Sequence, residues 1–197
     1  ARQTGKSTLL MQRFPEAKYY DLLESDLYER FRRQPSLLRN ELSMIDSKTL
    51  IIIDEIQKIP ELLDEVHWLM SRRNMRFVLS GSSARKLRRC GANLLGGRAI
   101  RQQLFPFVSA EIPDFNLSRA INNGMLPRHY LIENPAKRLQ AYVGDYLREE
   151  IKEESLTRNI ASFSRFLETA AINDGEILNY NNIATDCGVS APTVKEY

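Results

Sequence analysis

Ala1-Arg2-Gln3-Thr4-Gly5-Lys6-Ser7-Thr8 opens the chain, and these eight residues decide how the rest is read. A phosphate-binding loop has the pattern G-x-x-x-x-G-K-[ST]. Here four variable positions are followed by Gly5, Lys6 and Ser7, and the first glycine of the pattern falls just before residue 1. Such loops are entered from a β-strand, so an upstream strand in a larger protein is expected. The chemistry is local: successive backbone N–H groups curl into a concave nest, and the following helix points its positive end at the same place, which favours a polyphosphate. The expected nucleotide contacts are Arg2, Gln3, Thr4, Gly5, Lys6, Ser7 and Thr8. Within this group Lys6 is placed to reach the β- and γ-phosphates and the Ser7 hydroxyl to ligand a Mg²⁺ that bridges them. The competing reading is a plain turn that opens an amphipathic helix through Leu9, Leu10, Arg13 and Phe14.

A second motif bears on that choice. Leu50-Ile51-Ile52-Ile53 is an unbroken apolar run, the composition of a strand buried on both faces of a parallel sheet, and it ends directly in Asp54-Glu55. This is a Walker B pattern, in which Asp54 holds the magnesium and Glu55 polarises the water that attacks the γ-phosphate. An acidic pair after a strand can also serve only a helix N-terminus. Joined to the Lys6 loop, the pair predicts a magnesium-dependent nucleotide site.

Around these motifs strands and helices alternate. Ala17 to Leu22 reads as a short strand, and Ser25 to about Asp46 as a polar helical stretch that Pro35 interrupts. Ile59, Leu62, Leu63, Val66, Leu69 and Met70 fall at helical spacing, with Pro60 in the first turn. Arg76 to Ser80 reads as another buried strand and Ala99 to Leu104 as a further one before Pro106. Alternation of this type predicts a parallel α/β sheet.

Between the last two strands lies Gly81-Ser82-Ser83 through Gly96-Gly97-Arg98. Open α/β sheets bind ligands at the carboxyl ends of their strands. Ser82 there is placed to bond the attacking water or the γ-phosphate, with Ser83 as second choice, or else to cap the helix Ala84 to Arg89. Arg98, after two glycines, is either a stabiliser of transition-state charge or a structural arginine paired with a carboxylate. The run Arg85, Lys86, Arg88, Arg89 reads as a solvated helix face.

Taken together, ARQTGKST, LIIIDEIQKIP, FVLSGSSARKL, LLGGRA and LFPF, in that order, resemble the prokaryotic AAA-type P-loop ATPases that carry a C-terminal domain of unknown function. The resemblance covers nearly the whole chain and departs from the family by truncation rather than substitution. It implies that Lys6 and Ser7 are the Walker A residues, Asp54 and Glu55 Walker B, Ser82 the sensor-like position and Arg98 the arginine of the LLGGRA signature. It also implies ATP as the nucleotide, since no base-reading motif is visible.

Beyond Phe107 the pattern turns helical. Ala136 to Glu153 carries Leu139, Tyr142, Val143, Tyr146, Leu147 and Ile151 on one face, and Ile160 to Ala171 carries Ile160, Phe163, Phe166, Leu167 and Ala170. From Tyr180 to Tyr197 a helix, a turn at Gly188 and a second helix capped by Ser190 predict a partial helix-turn-helix, offering Thr193, Lys195 and Tyr197 to a DNA groove. By the family resemblance this is a winged-helix-like module, which serves DNA contact or acts as a lid or protein docking surface.

Composition sets the remaining bounds. In 197 residues, 28 basic side chains oppose 25 acidic ones, and a net charge of +3 is too mild to declare a nucleic-acid partner. Cys90 and Cys187 have no metal-ligand spacing and suggest a reducing, cytoplasmic compartment. No apolar run reaches the roughly 18 residues of a membrane span. His67 and His129 have no catalytic neighbour in sequence, and His67 reads as helix surface. The expected architecture is an α/β P-loop NTPase domain over residues 1–108, a parallel sheet with helices on both faces, then an all-α region over 109–197 that ends in the partial helix-turn-helix at 180–197. The expected activity is an ATP-hydrolysing switch, alone or with a protein partner or a second copy. The rival is a DNA-binding regulator for which nucleotide is only a ligand.

Overall fold

A computed structural model describes residues 3–81, 95, 97–145 and 159–197, and the chain divides into two compact units, 1–132 and 133–197. The first is built on three parallel strands in the order β1 (Lys18–Asp21), β2 (Leu50–Asp54), β3 (Arg76–Leu79). Parallel neighbours need a crossover. Two helices, α2 (Ser25–Arg33) and α3 (Leu37–Leu42), carry the chain from β1 to β2, and α4 (Leu62–Arg73) carries it from β2 to β3. The break between α2 and α3 falls at Gln34-Pro35, as a ring that forbids a helical N–H bond requires.

The pleat of β2 explains how the core divides. Ile51 and Ile53 point into a cluster with Tyr20 of β1 and with Phe31, Leu38, Leu42, Val66 and Leu69, which the crossover helices supply. Ile52 lies on the opposite face and is fully buried too. Burying each isoleucine contributes about 2 kcal/mol. This is why the run is apolar without alternation. Register places Tyr19 beside Ile52, Tyr20 beside Ile53 and Asp21 beside Asp54. Tyr20 therefore enters the core, while Tyr19 shares the face of Ile52 and Asp54.

α4 begins later than its apolar spacing predicts. A 3₁₀ turn spans Ile56–Lys58, and the first two residues of α4, Leu62 and Leu63, donate to the carbonyls of Ile59 and Pro60 at 3.1 and 3.0 Å. The buried positions are nevertheless the expected ones: Ile59, Leu62, Leu63, Val66 and Leu69. The helix ends at Asn74, whose φ of 52° stops the ladder. Arg73 then donates to the carbonyls of Leu42 and Ile45 at 2.6 and 3.1 Å, joining the end of α4 to the end of α3.

One expected strand does not form. Ala99 to Leu104 has no strand partner among the described residues, and Ile100 is 89% exposed. A strand is stable only where a neighbour takes up its N–H and C=O groups and a layer covers its apolar side chains. Beyond Leu104 the described residues of this unit form a 3₁₀ turn at Ser109–Glu111 and the short helices α5 (Leu117–Asn123) and α6 (Pro127–Tyr130). Asn116 caps α5 by accepting from the Arg119 N–H at 2.8 Å, and Pro127 opens α6.

The second unit is helical. α7 (Ala136–Asp145) covers the first part of the predicted Ala136 to Glu153 helix; its expected apolar residues Tyr146, Leu147 and Ile151 lie outside the described residues. α8 (Ile160–Ile172), α9 (Tyr180–Cys187) and α10 (Ala191–Glu196) lie where periodicity predicts them. Ile183, Ala184, Cys187 and Val194 form the small core. The α9–α10 turn is a Schellman motif: Val189 donates to Ala184 at 3.0 Å and Gly188 to Thr185 at 3.2 Å, with Gly188 at φ 65°. Arg165 of α8 donates to the carbonyl of Cys187 at 3.1 Å, which places a cation at the negative end of α9. Among the described residues no helix is long and apolar enough to cross a membrane.

Candidate functional site

The loop ahead of α1 (Lys6–Arg13) has the backbone of an anion nest. Gln3 and Gly5 have φ of 60° and 87°, and Thr4 between them stays at negative φ. Such alternation turns successive N–H groups to one side. A Cβ on Gly5 would meet nothing within 4 Å, so glycine is needed here for its left-handed conformation and not for space. Thr4 is buried. The Gly5 carbonyl accepts the first helical bond, from Leu9 at 2.9 Å. No acidic residue in the first turn neutralises the positive end of α1. Lys6 and Ser7 are its first two residues and Thr8 the exposed third, while Arg2 lies outside the described residues.

Asp54 ends β2 and receives that helix. Its Oδ2 accepts from Ser7 Oγ at 2.5 Å across 47 residues of sequence, and from the Tyr19 hydroxyl at 2.5 Å. Its Oδ1 accepts from the Glu55 N–H at 3.0 Å. The carboxylate is 2% exposed. Burial works against its charge, but the hydroxyls of Ser7 and Tyr19, with Ser80 and the Glu55 N–H, outweigh burial and hold it below the usual carboxylate range. Burial and the adjacent Asp54 push the Tyr19 phenol well above its ordinary value, so it stays a donor. A hydroxyl and a buried carboxylate sharing one point make an all-oxygen donor set, which suits Mg²⁺ better than a soft metal.

Glu55 sits just past the strand in a left-handed conformation, φ 56° and ψ 38°. A non-glycine residue pays for this conformation. Its carboxylate accepts a hydrogen bond from Gln57 Nε2. The turn that follows is pinned on two sides. Ile56 donates to the Ser80 carbonyl at 3.0 Å, and Lys58 Nζ to the Leu22 carbonyl at 2.8 Å.

The structure thus joins the Lys6-Ser7 loop to Asp54-Glu55. Arg98 is elsewhere: its guanidinium meets His67 Nε2 on α4 and, among the described residues, none of Lys6, Ser7, Asp54 or Glu55. His67 lies on the helix surface, half-buried. Ser82, Ser83, the helix Ala84 to Arg89 with its basic run, and Cys90 lie outside the described residues. In the C-terminal unit, Tyr197 is not offered to a groove. Its ring packs against Phe163 and Phe166 with centroids at 5.0 and 5.3 Å. Thr193 is occupied at the cap, its hydroxyl 2.8 Å from that of Ser190, which leaves Lys195 as the exposed one of the three.

Sequence reasoning missed Tyr19 and Gln57. A signal for the first was present: adjacent tyrosines in one strand must face opposite sides, so one of them had to leave the core. For Gln57 there was none, since its partner is set by the geometry of a turn.

Two family models match the chain. One, described as an AAA domain, covers residues 1–113, and the other, a domain of unknown function, covers residues 114–197. No curated protein and no solved structure matches.

Proposed function

Because this chain belongs to the AAA domain family, we propose that its N-terminal region binds ATP with Mg²⁺ and hydrolyses it, acting as a nucleotide-driven switch. The observation that carries this reading is the 2.5 Å contact between Ser7 and Asp54. It brings the hydroxyl of the phosphate loop to the carboxylate of the central strand, the two protein oxygens a nucleotide-bound magnesium needs. The metal, when bound, neutralises charge on the phosphates. Lys6 adds a cation at the loop, and the nest from Gln3 to Gly5 supplies N–H donors. Glu55 orients water for in-line attack on the γ-phosphate and accepts its proton. Ser82, three positions after the last residue of β3 in sequence, is proposed as a polar contact to that water, and Arg98 as a stabiliser of transition-state charge from its own or a neighbouring subunit. A cytoplasmic site of action fits the two cysteines.

Lys6→Ala tests the binding step. Titration of a fluorescent ATP analogue should show affinity reduced at least tenfold. Affinity within error of the parent would remove the nucleotide site.

A second reading rests on the C-terminal unit. It is supported by the Schellman turn between α9 and α10, the Ser190 cap of α10 and the exposure of Lys195. We infer weak contact with duplex DNA, gated by nucleotide, with Lys195 on phosphate.

A further inference from the structure

We propose that Gln57 is the positioning residue for Glu55, and that residue 81 is glycine because Gln57 occupies the space a side chain would take. The proposal rests on the reading of Glu55 as the group that orients water. It begins with the backbone. Residues 56–58 form one 3₁₀ turn, with Lys58 N–H on the Glu55 carbonyl at 2.9 Å and Ile56 N–H on the Ser80 carbonyl at 3.0 Å. Ile56 is fully buried, and the Lys58 ammonium is held by the Leu22 carbonyl at 2.8 Å and lies 4.6 Å from the centre of the Tyr28 ring. The turn is therefore tied to the ends of all three strands.

From this anchored turn the Gln57 side chain reaches back. Its Nε2 donates to Glu55 Oε2. A hydrogen bond from a donor on an anchored turn favours one orientation of an otherwise flexible carboxylate. The other end of the same amide lies on Gly81. A Cβ built there would stand 2.3 Å from Gln57 Oε1 and 3.3 Å from Gln57 Cδ; its next neighbour, Ile56 Cγ2, is at an ordinary 3.9 Å.

Glycine is required in proteins for one of two reasons, a left-handed backbone or close approach. Gly81 is not left-handed. Close approach remains, and the approaching group is the Gln57 amide. Gly81 is the second residue past β3 in sequence, so the glutamine links the Glu55 carboxylate to the chain leaving that strand. A methyl at residue 81 should displace the far end of Gln57, which is flexible, and leave the sheet intact.

The test is a double-mutant cycle on ATP turnover and nucleotide affinity in the protein, with Glu55→Gln as reference. Glu55→Gln should bind nucleotide and fail to turn it over. Gln57→Ala should lower kcat about tenfold, the size expected for losing a hydrogen bond to a charged group, with KM for ATP unchanged. Gly81→Ala should do the same, and the double variant should be no slower than Gln57→Ala alone, because the atom it collides with is gone. Parental or raised turnover in Gln57→Ala, with Glu55→Gln inactive, would overturn the positioning role and leave the assignment of Glu55 standing. Additive losses in the double variant would overturn the link to Gly81. Parental turnover in Glu55→Gln would instead remove the reading on which the proposal rests.

Discussion

Tyr19→Phe and Ser7→Ala form a matched pair, because each removes one hydroxyl from the same oxygen of the same buried carboxylate. Both donate to Asp54 Oδ2 at 2.5 Å, and Asp54 is 2% exposed. A hydrogen bond to a charged group contributes about 1.5–3 kcal/mol, and a carboxylate that loses one donor in a dry site recovers little of it from water. Tyr19 and Ser7 are themselves only half-buried, so the lower end applies, about 1.5 kcal/mol for each. For a unit of this size that is a fall of roughly 3–6 °C in melting temperature. The two variants should therefore lose similar stability in the absence of nucleotide. They should part company on function: Ser7→Ala also removes the proposed metal ligand and should weaken magnesium-dependent ATP binding, whereas Tyr19→Phe should keep it within about threefold. Thermal unfolding and nucleotide titration at varied Mg²⁺ measure both. If Tyr19→Phe costs no stability, Asp54 does not depend on its donors in the way the geometry implies. If it abolishes magnesium dependence as fully as Ser7→Ala, Ser7 has no special role in holding the metal.

Three further outcomes are expected. Arg98→Ala should lower turnover while shifting the melting temperature by no more than about 1 °C, because an exposed arginine resting on a surface histidine contributes little to stability; a large drop in melting temperature with matching loss of binding would make it a fold element. Tyr20 is buried beside Glu41, and burial first, then that carboxylate, raises its phenol above the ordinary value near 10. The raised folded value means this contribution to stability is complete below about pH 10 and is lost as pH climbs toward the folded value, at up to ~1.4 kcal/mol per pH unit. Chemical denaturation between pH 9 and 11 should show a shallower decline in Tyr20→Phe, and an identical slope would refute the assignment. Lys195→Ala should weaken binding to duplex DNA and reduce its salt slope by about one unit without touching basal hydrolysis; absence of DNA binding at low salt in either nucleotide state would reassign α9 and α10 to docking or packing.

The loop ahead of α1 and the Asp54-Glu55 pair at the end of β2 were legible in the chain because each is a contiguous motif whose local geometry depends on covalent neighbours. The same holds for Ile51, Ile52 and Ile53: three apolar residues in succession require burial on both faces, and the sheet supplies it. Gly188 and Ser190 were legible for the same local reason, since a left-handed turn and a cap are properties of a few adjacent residues. What lay beyond sequence was every feature that depends on a distant partner. Ala99 to Leu104 has strand composition, but no neighbouring edge among the described residues pairs with it. Tyr197 has the position of a groove-reading side chain, yet Phe163 and Phe166 of α8 take its ring. Tyr19 and Tyr20 are the same residue side by side, and only the register of β1 against β2 sends one to Asp54 and the other to the core. Gln57 and Gly81 are 24 positions apart and meet because β2 and β3 are parallel neighbours whose ends share a turn. Covalent proximity is written in the chain, whereas convergence across a sheet exists only once the register of the strands has been set.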